Sequence, residues 1–219
     1  MKRDHGSLIL ASTSPRRQTI MSWLGLAFVA VASDVDESRF DHLEPVDQAL
    51  TLARTKAETV AALRPDSVVI AADTVVELDG ESLGKPLNDE GAARMLRRLS
   101  ERTHRVITGV AVHRDGRTVA VSMTTEVTMR PIREDELMAY VATGEPLDKA
   151  GGYAIQGLAG SFVKAVEGCH LNVVGFPVCV VDSLLRGRTD APTPDSIELC
   201  SRTWEAMAEQ QIFDPQPSV

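Results

Sequence analysis

The sequence predicts an α/β fold, a mixed sheet with flanking helices, and three observations lead there. Val68 to Val76 (VVIAADTVV) is apolar at consecutive rather than alternate positions, as in a strand covered on both faces. Stretches with apolar residues at helical spacing, such as Pro45 to Arg64, alternate with runs of this kind. Two Asp-Gly pairs, Asp79-Gly80 and Asp115-Gly116, join apolar segments as tight hairpins, so part of the sheet is antiparallel. A chain of 219 residues suits one domain, or two lobes sharing a sheet.

Leu8, Ile9 and Leu10 form a short buried strand that stops in hydroxyl residues and passes through Pro15 into a helix. Ser14 is its expected N-cap, Pro15 its first residue, and Ile20, Met21 and Leu24 its apolar side. Ser12, Arg16 and Arg17 stand at this helix start. N–H groups with no helical partner, joined by guanidinium groups, suit a polyanion such as a phosphate chain. The alternative is a capped helix with two solvated arginines. Ala27 to Ala32 reads as a second strand and Ser33 to His42 as an acidic loop carrying Asp34, Asp36 and Glu37. In the helix Pro45 to Arg64, Lys56 falls on the stripe of Ala49, Ala53, Val60 and Leu63. It either snorkels from the helix edge or flanks the anion site.

Asp73, followed by Thr74, interrupts the strand Val68 to Val76. A carboxylate there costs several kcal/mol unless it is paired, hydrogen-bonded or metal-bound, so it is a candidate for chemistry; a structural Asp holding a loop is the alternative. Gly84-Lys85-Pro86 then places a lysine in a constrained turn. Asn88 caps a helix to Leu99, and Val106 to His113 pairs with Thr118 to Thr128 as a hairpin. Glu134 to Ala142 is a short helix. Glu145 to Gly160 (EPLDKAGGYAIQGLAG) has the glycine content of a loop held close to a ligand, and the donor and acceptor of Gln156 suit the pairing edge of uracil or thymine, unless it is a structural amide. Phe162 to Val166 reads as a strand, Cys169 to Asn172 as a bend and Gly175 to Leu185 as a closing helix. The residues beyond Arg186, with Pro192 and Pro194, read as a polar, dispensable tail, partly helical over Ile197 to Ala208.

A net charge of -8 argues against non-specific binding to nucleic acid or anionic lipid, so any anion must meet a local cluster of cations. Cys169, Cys179 and Cys200 are odd in number and lack CxxC spacing, so neither a disulfide framework nor a structural zinc site is expected, and a reducing cytoplasm fits. No apolar run nears the ~20 residues of a membrane span, and Met1 to Ser7 lacks the apolar core of an export signal. The sequence has no P-loop, GxSxG elbow or HExxH. The polar residues left over combine four cations (Arg16, Arg17, Lys56, Lys85), two carboxylates (Glu37, Asp73), a hydroxyl (Ser12) and an amide (Gln156). Such a set suits phosphoryl chemistry with a divalent metal.

Five motifs in order, SxSPRR at Ser12 to Arg17, ARxKA at Ala53 to Ala57, ADT at Ala72 to Thr74, GKP at Gly84 to Pro86 and DKAGGYAIQG at Asp148 to Gly157, make the sequence resemble the Maf (septum-formation) family of nucleoside triphosphate pyrophosphatases. The resemblance runs from Leu8 to Leu185. It implies a family domain over residues 7–188, followed by the tail 189–219. It also implies an elongated fold with two lobes around a central cleft, similar to the inosine-triphosphate pyrophosphatases, and hydrolysis to monophosphate and pyrophosphate with magnesium, manganese or cobalt. Carried over, Asp73 matches the proton acceptor. Ser12, Arg16, Arg17, Lys56 and Lys85 match phosphate-contacting positions, and Glu37 an acidic residue that shares the metal with Asp73. Arg16, Thr74 and Gln156 match the dTTP/UTP branch rather than the 7-methyl-GTP branch. A nucleotide-binding regulator of septum formation with little turnover is the alternative from another class, and the resemblance leaves room for a homodimer.

Overall fold

The computed structural model describes residues 7–189, 194–210 and 212. Residues 1–6, 190–193, 211 and 213–219 lie outside them, and with them Pro192 and part of the expected tail. A seven-stranded mixed sheet runs β2 (Val29–Ala30), β1 (Leu8–Leu10), β3 (Val68–Leu78), β5 (Thr103–Arg114), β6 (Arg117–Met129), β7 (Val163–Glu167), with β4 (Glu81–Leu83) paired to β3. The expected α/β class with a mixed sheet is what the chain adopts. β1 runs parallel to β2 and β3, and all the other pairs are antiparallel.

The long strand β3 organises the molecule. On one side β5 accompanies it from Val69 to Glu77. On the other, β1 pairs only with Val68 to Ile70 and β4 only with Val76 to Leu78. Residues 71–75 therefore have a strand neighbour on one side only, and a cleft opens where the strands part, as ligand sites in α/β sheets do. One lobe carries β1, β2 and α1 (Pro15–Trp23); the other carries β4, α3 (Asp89–Leu99) and α4 (Glu134–Val141).

Strand alternation distributes β3 between two faces. Val69, Ala71 and Val75 face α2 (Pro45–Leu63), whereas Val68, Ile70 and Ala72 join the core of α1, α5 (His170–Val174) and α6 (Val178–Leu185). Asp73 thus shares the α2 face and Thr74 the opposite one. Helix α2 lies close on the sheet because Gly109, the partner of Asp73 across the ladder, has no side chain: a Cβ there would stand 2.3 Å from the Ala49 carbonyl oxygen.

Several expectations change. The closing helix, expected from Gly175, begins only at Val178: Gly175 turns left-handed (φ +102°) as the C-cap of α5, and Pro177 is the N-cap of α6. The expected bend at Cys169 to Asn172 is the N-cap and opening of α5. Ser14 makes no side-chain cap; its N–H donates instead to Ser12 Oγ. The glycine-rich loop folds into three short 3₁₀ turns, with Gly151 and Gly152 at positive φ. Nor is the segment after Arg186 separable: α7 (Pro194–Glu209) buries Cys200, Thr203 and Met207 against the core, and Trp204 stacks on His170. A helical hydrophobic face outweighs polar composition here. Truncation after Arg188 should therefore cost at least about 3–5 kcal/mol in urea denaturation, by uncovering the buried side chains of α7 and their partners. An unchanged midpoint would show that α7 is only laid on the surface.

His104, buried in the second lobe, bonds Tyr153 Oη through Nε2 at 2.6 Å. Burial lowers its pKa from 6.5 to about 4. The unfolded chain takes up this proton near pH 6.5 and the folded one only near 4, so the associated stability is full above pH 6.5 and is lost as pH falls toward 4. The shift is worth about 3 kcal/mol. His104→Gln should flatten that part of the stability–pH curve, and an identical slope in both proteins would contradict it.

Candidate active site

The chain leaves β1 and enters α1 at the floor of the cleft. Ser12 Oγ accepts the Ser14 N–H at 3.2 Å and Arg17 Nη1 at 3.3 Å, so the hydroxyl ties the helix start to its own third residue. Arg17 reaches across the gap: Nη2 donates to Thr74 Oγ1 at 3.2 Å and Nε to the Gly175 carbonyl at 2.9 Å. Burial lowers the Arg17 pKa, opposed by the charge of Asp73. Arg16, one residue earlier, turns elsewhere and lies 3.9 Å from Asp148 Oδ2.

Lys56 comes from the other face. It does not snorkel: it is 7% exposed, and its Nζ donates to Glu37 Oε1 at 2.5 Å and Asp73 Oδ1 at 2.6 Å. The acidic loop is held for this by a 3₁₀ turn, Glu37–Phe40, capped by the Asp36 side chain. The two carboxylates are pushed in opposite directions. Burial raises the Asp73 pKa against the attraction of Lys56 and Arg17. For Glu37, burial also pulls upward, but the hydrogen bond and charge of Lys56, with Lys85 and Arg17 behind it, hold the carboxyl below its ordinary range. Among the described residues, Asp73 Oδ2 accepts no hydrogen bond.

Lys85 stands exposed in the turn after β4, and the Gly84 carbonyl accepts the Gly151 N–H at 3.1 Å. That bond fastens the glycine-rich loop to the GKP turn and brings Gln156 and Lys85 to the same opening. All nine candidates, Ser12, Arg16, Arg17, Glu37, Lys56, Asp73, Thr74, Lys85 and Gln156, line one cleft of about 930 Å³. Gln156 is half-buried, and among the described residues its amide has no partner. The lining carries five cations (Arg16, Arg17, Lys56, Lys85, Lys149) and five carboxylates (Asp34, Glu37, Asp41, Asp73, Asp148). In a chain of net charge -8 this is a local enrichment of cations, with enough carboxylate oxygen for a divalent ion as well.

Sequence reasoning missed the buttress behind the site. Thr108 Oγ1 lies 3.0 Å from Thr74 Oγ1 and donates to the Asn172 carbonyl, and Asn172 Nδ2 donates to the Val106 carbonyl and Thr125 Oγ1. A signal was present: Thr108 and Asn172 are polar exceptions in apolar stretches, as Asp73 is. Gly175 was missed as well; a Cβ there would sit 2.8 Å from Thr74 Oγ1, and its carbonyl positions Arg17.

A family model described as Maf-like protein matches residues 7–188. The dTTP/UTP pyrophosphatase of Moorella thermoacetica (strain ATCC 39073 / JCM 9320) is 48% identical over 180 residues, 81% of this chain and 93% of that protein. The dTTP/UTP pyrophosphatase of Anaeromyxobacter dehalogenans (strain 2CP-C) is 47% identical over 191 residues, 85% of this chain and 96% of that protein. A solved nucleoside-triphosphatase / dITP/XTP pyrophosphatase from Mycobacterium abscessus covers 93% of this chain and 97% of its own. At 16% identity and a TM-score of 0.42, it is too remote a likeness to bear on the site. Among the described residues, no helix is long and apolar enough to cross a membrane.

Proposed function

This chain belongs to the Maf family, and we propose that its cleft hydrolyses nucleoside triphosphates, dTTP and UTP by preference, to the monophosphate and pyrophosphate. The observation that carries the chemistry is Asp73: a buried carboxylate, raised in pKa by that burial, held through one oxygen by Lys56 and left with the other available. A general base works best with a pKa brought toward neutrality, and the charges of Lys56 and Arg17 favour its ionised form. Asp73 takes a proton from a water molecule as that water attacks the α-phosphorus. The bond from this phosphorus to the bridging oxygen breaks, and pyrophosphate departs with the electron pair.

Arg16, Arg17, Lys56 and Lys85, with Ser12 and the start of α1, bind the phosphates and stabilise charge on the leaving group. Glu37 and Asp73 supply hard oxygen donors on either side of one ammonium, and they fit a divalent cation, magnesium, manganese or cobalt. When bound, such an ion neutralises phosphate charge and polarises the reacting phosphorus. The test is pyrophosphate release over a panel of normal and modified nucleoside triphosphates with each metal. Turnover of dTTP and UTP above the purine nucleotides is expected; binding without release would favour a nucleotide-sensing regulator instead, and preference for 7-methyl-GTP would move the chain to the other branch.

Base choice rests on Gln156. Uracil and thymine show acceptor, donor, acceptor along the pairing edge, so one amide can accept from N3–H and donate to a carbonyl oxygen, whereas cytosine has no N3–H. Each polar group left unsatisfied costs ~1–3 kcal/mol, about tenfold or more in kcat/KM. Gln156→Glu should lower the UTP-to-CTP ratio of kcat/KM by that factor, and an unaltered ratio would exclude Gln156 from base reading.

A further inference from the structure

Away from the cleft, three thiols that the chain keeps 10 and 21 residues apart converge in the apolar core. Cys169 is the N-cap of α5, Cys179 the second residue of α6, and Cys200 lies within α7. All three are buried, and their Sγ atoms lie within 4.8 Å of one another. A fourth sulfur adjoins them: Met123 Sδ of β6 is 3.9 Å from Cys179 Sγ. The surroundings hold the set in place. Thr125 Oγ1 accepts the Cys169 N–H at 3.1 Å and lies 3.3 Å from the Cys169 carbonyl oxygen, and the Cys179 N–H points at Cys200 Sγ from 3.2 Å.

Metal–sulfur bonds of about 2.3 Å set three ligating sulfurs about 4 Å apart around one ion, so this cluster needs little contraction to enclose one. The donors also choose the ion. Structural zinc takes four ligands from cysteine and histidine, but among the described residues no histidine nitrogen or carboxylate joins these thiols. His170, next in sequence to Cys169, stacks its ring on Trp204 instead. Three thiols and a thioether form an all-sulfur set, of the softness that favours monovalent copper.

We propose that Cys169, Cys179 and Cys200, with Met123 at the fourth corner, form a buried site for one Cu(I) ion, which fastens α7 to the body of the protein. Binding displaces thiol protons to solvent, and the Cys179 N–H offsets part of the negative charge left on Cys200 Sγ. No electron is transferred, since the ion enters already reduced. Three buried thiols packing as small apolar groups is the competing explanation.

The test uses the full chain, reduced, stripped of metal and kept anaerobic, titrated with Cu(I) supplied as its bicinchoninate complex. The wild type should withdraw one equivalent per chain, develop near-ultraviolet thiolate-to-metal absorbance and melt at a higher temperature. Cys200→Ser and Cys169→Ser should lose all three responses. Met123→Leu, which leaves every thiol in place, should keep the stoichiometry but bind more weakly. Circular dichroism and nucleotide turnover of the metal-free variants report whether each is folded. No withdrawal by the wild type, equal withdrawal by a folded Cys200→Ser, or uptake of Zn(II) in a parallel titration with Cu(I) refused would each overturn the site as stated.

Discussion

Asp73→Asn should lose ~10²–10⁴ in turnover while still folding and binding nucleotide. The amide is nearly isosteric but cannot accept a proton in the reaction. Its fold should be at least as stable as the wild type's. Burial raises the Asp73 pKa, which means that the folded state favours a neutral side chain at this position, and asparagine is neutral at every pH. Lys56 retains Glu37 as a partner. The measurements are single-turnover hydrolysis, nucleotide affinity and urea denaturation on the same preparation. Turnover within a factor of a few of wild type, in a folded variant, would make Asp73 a structural carboxylate.

Removing the lysine should have a different signature. Lys56→Met leaves Asp73 buried without the ammonium that holds its Oδ1, and deleting one partner of a buried ion pair typically costs about 3–5 kcal/mol. Turnover should collapse too, since the proposed mechanism uses the same Nζ to bind the phosphates and to orient the base. The stability cost should shrink as pH falls, because loss of Lys56 pushes Asp73 further toward its protonated form, which needs no counter-charge. Combining Lys56→Met with Asp73→Asn should restore most of the stability and none of the activity. Such non-additivity is the mark of groups that act as a unit. A cost below about 1 kcal/mol for Lys56→Met would instead indicate a solvated ion pair of the kind found at surfaces.

What could be read from the sequence was whatever a local rule makes conspicuous. Asp73 stood out because a carboxylate in an apolar strand is costly, and Pro15 marked the start of α1 because its fixed φ and missing N–H suit that position. The parts not legible depend on residues distant in the chain. Whether Lys56 snorkels or is buried is decided by Gly109, which lets α2 settle on the sheet more than fifty residues later. Gly175 ends α5 and stands outside the closing helix, where Thr74 leaves no room for a side chain and Arg17 bonds its carbonyl, and neither neighbour is near it in sequence. Helix α7 reads as a polar tail by composition, and only its packing shows Cys200 and Met207 to be core. The three cysteines carry no recognisable spacing, because three different helices bring them together.

The most direct measurement of the proposed chemistry is the fate of the attacking water. With UTP hydrolysed in oxygen-18 water and the products separated by phosphorus NMR, attack at the α-phosphorus, with Asp73 as the proton acceptor, places the heavy oxygen in UMP and none in pyrophosphate. Label in pyrophosphate, or release of orthophosphate and UDP as the main products, would contradict it.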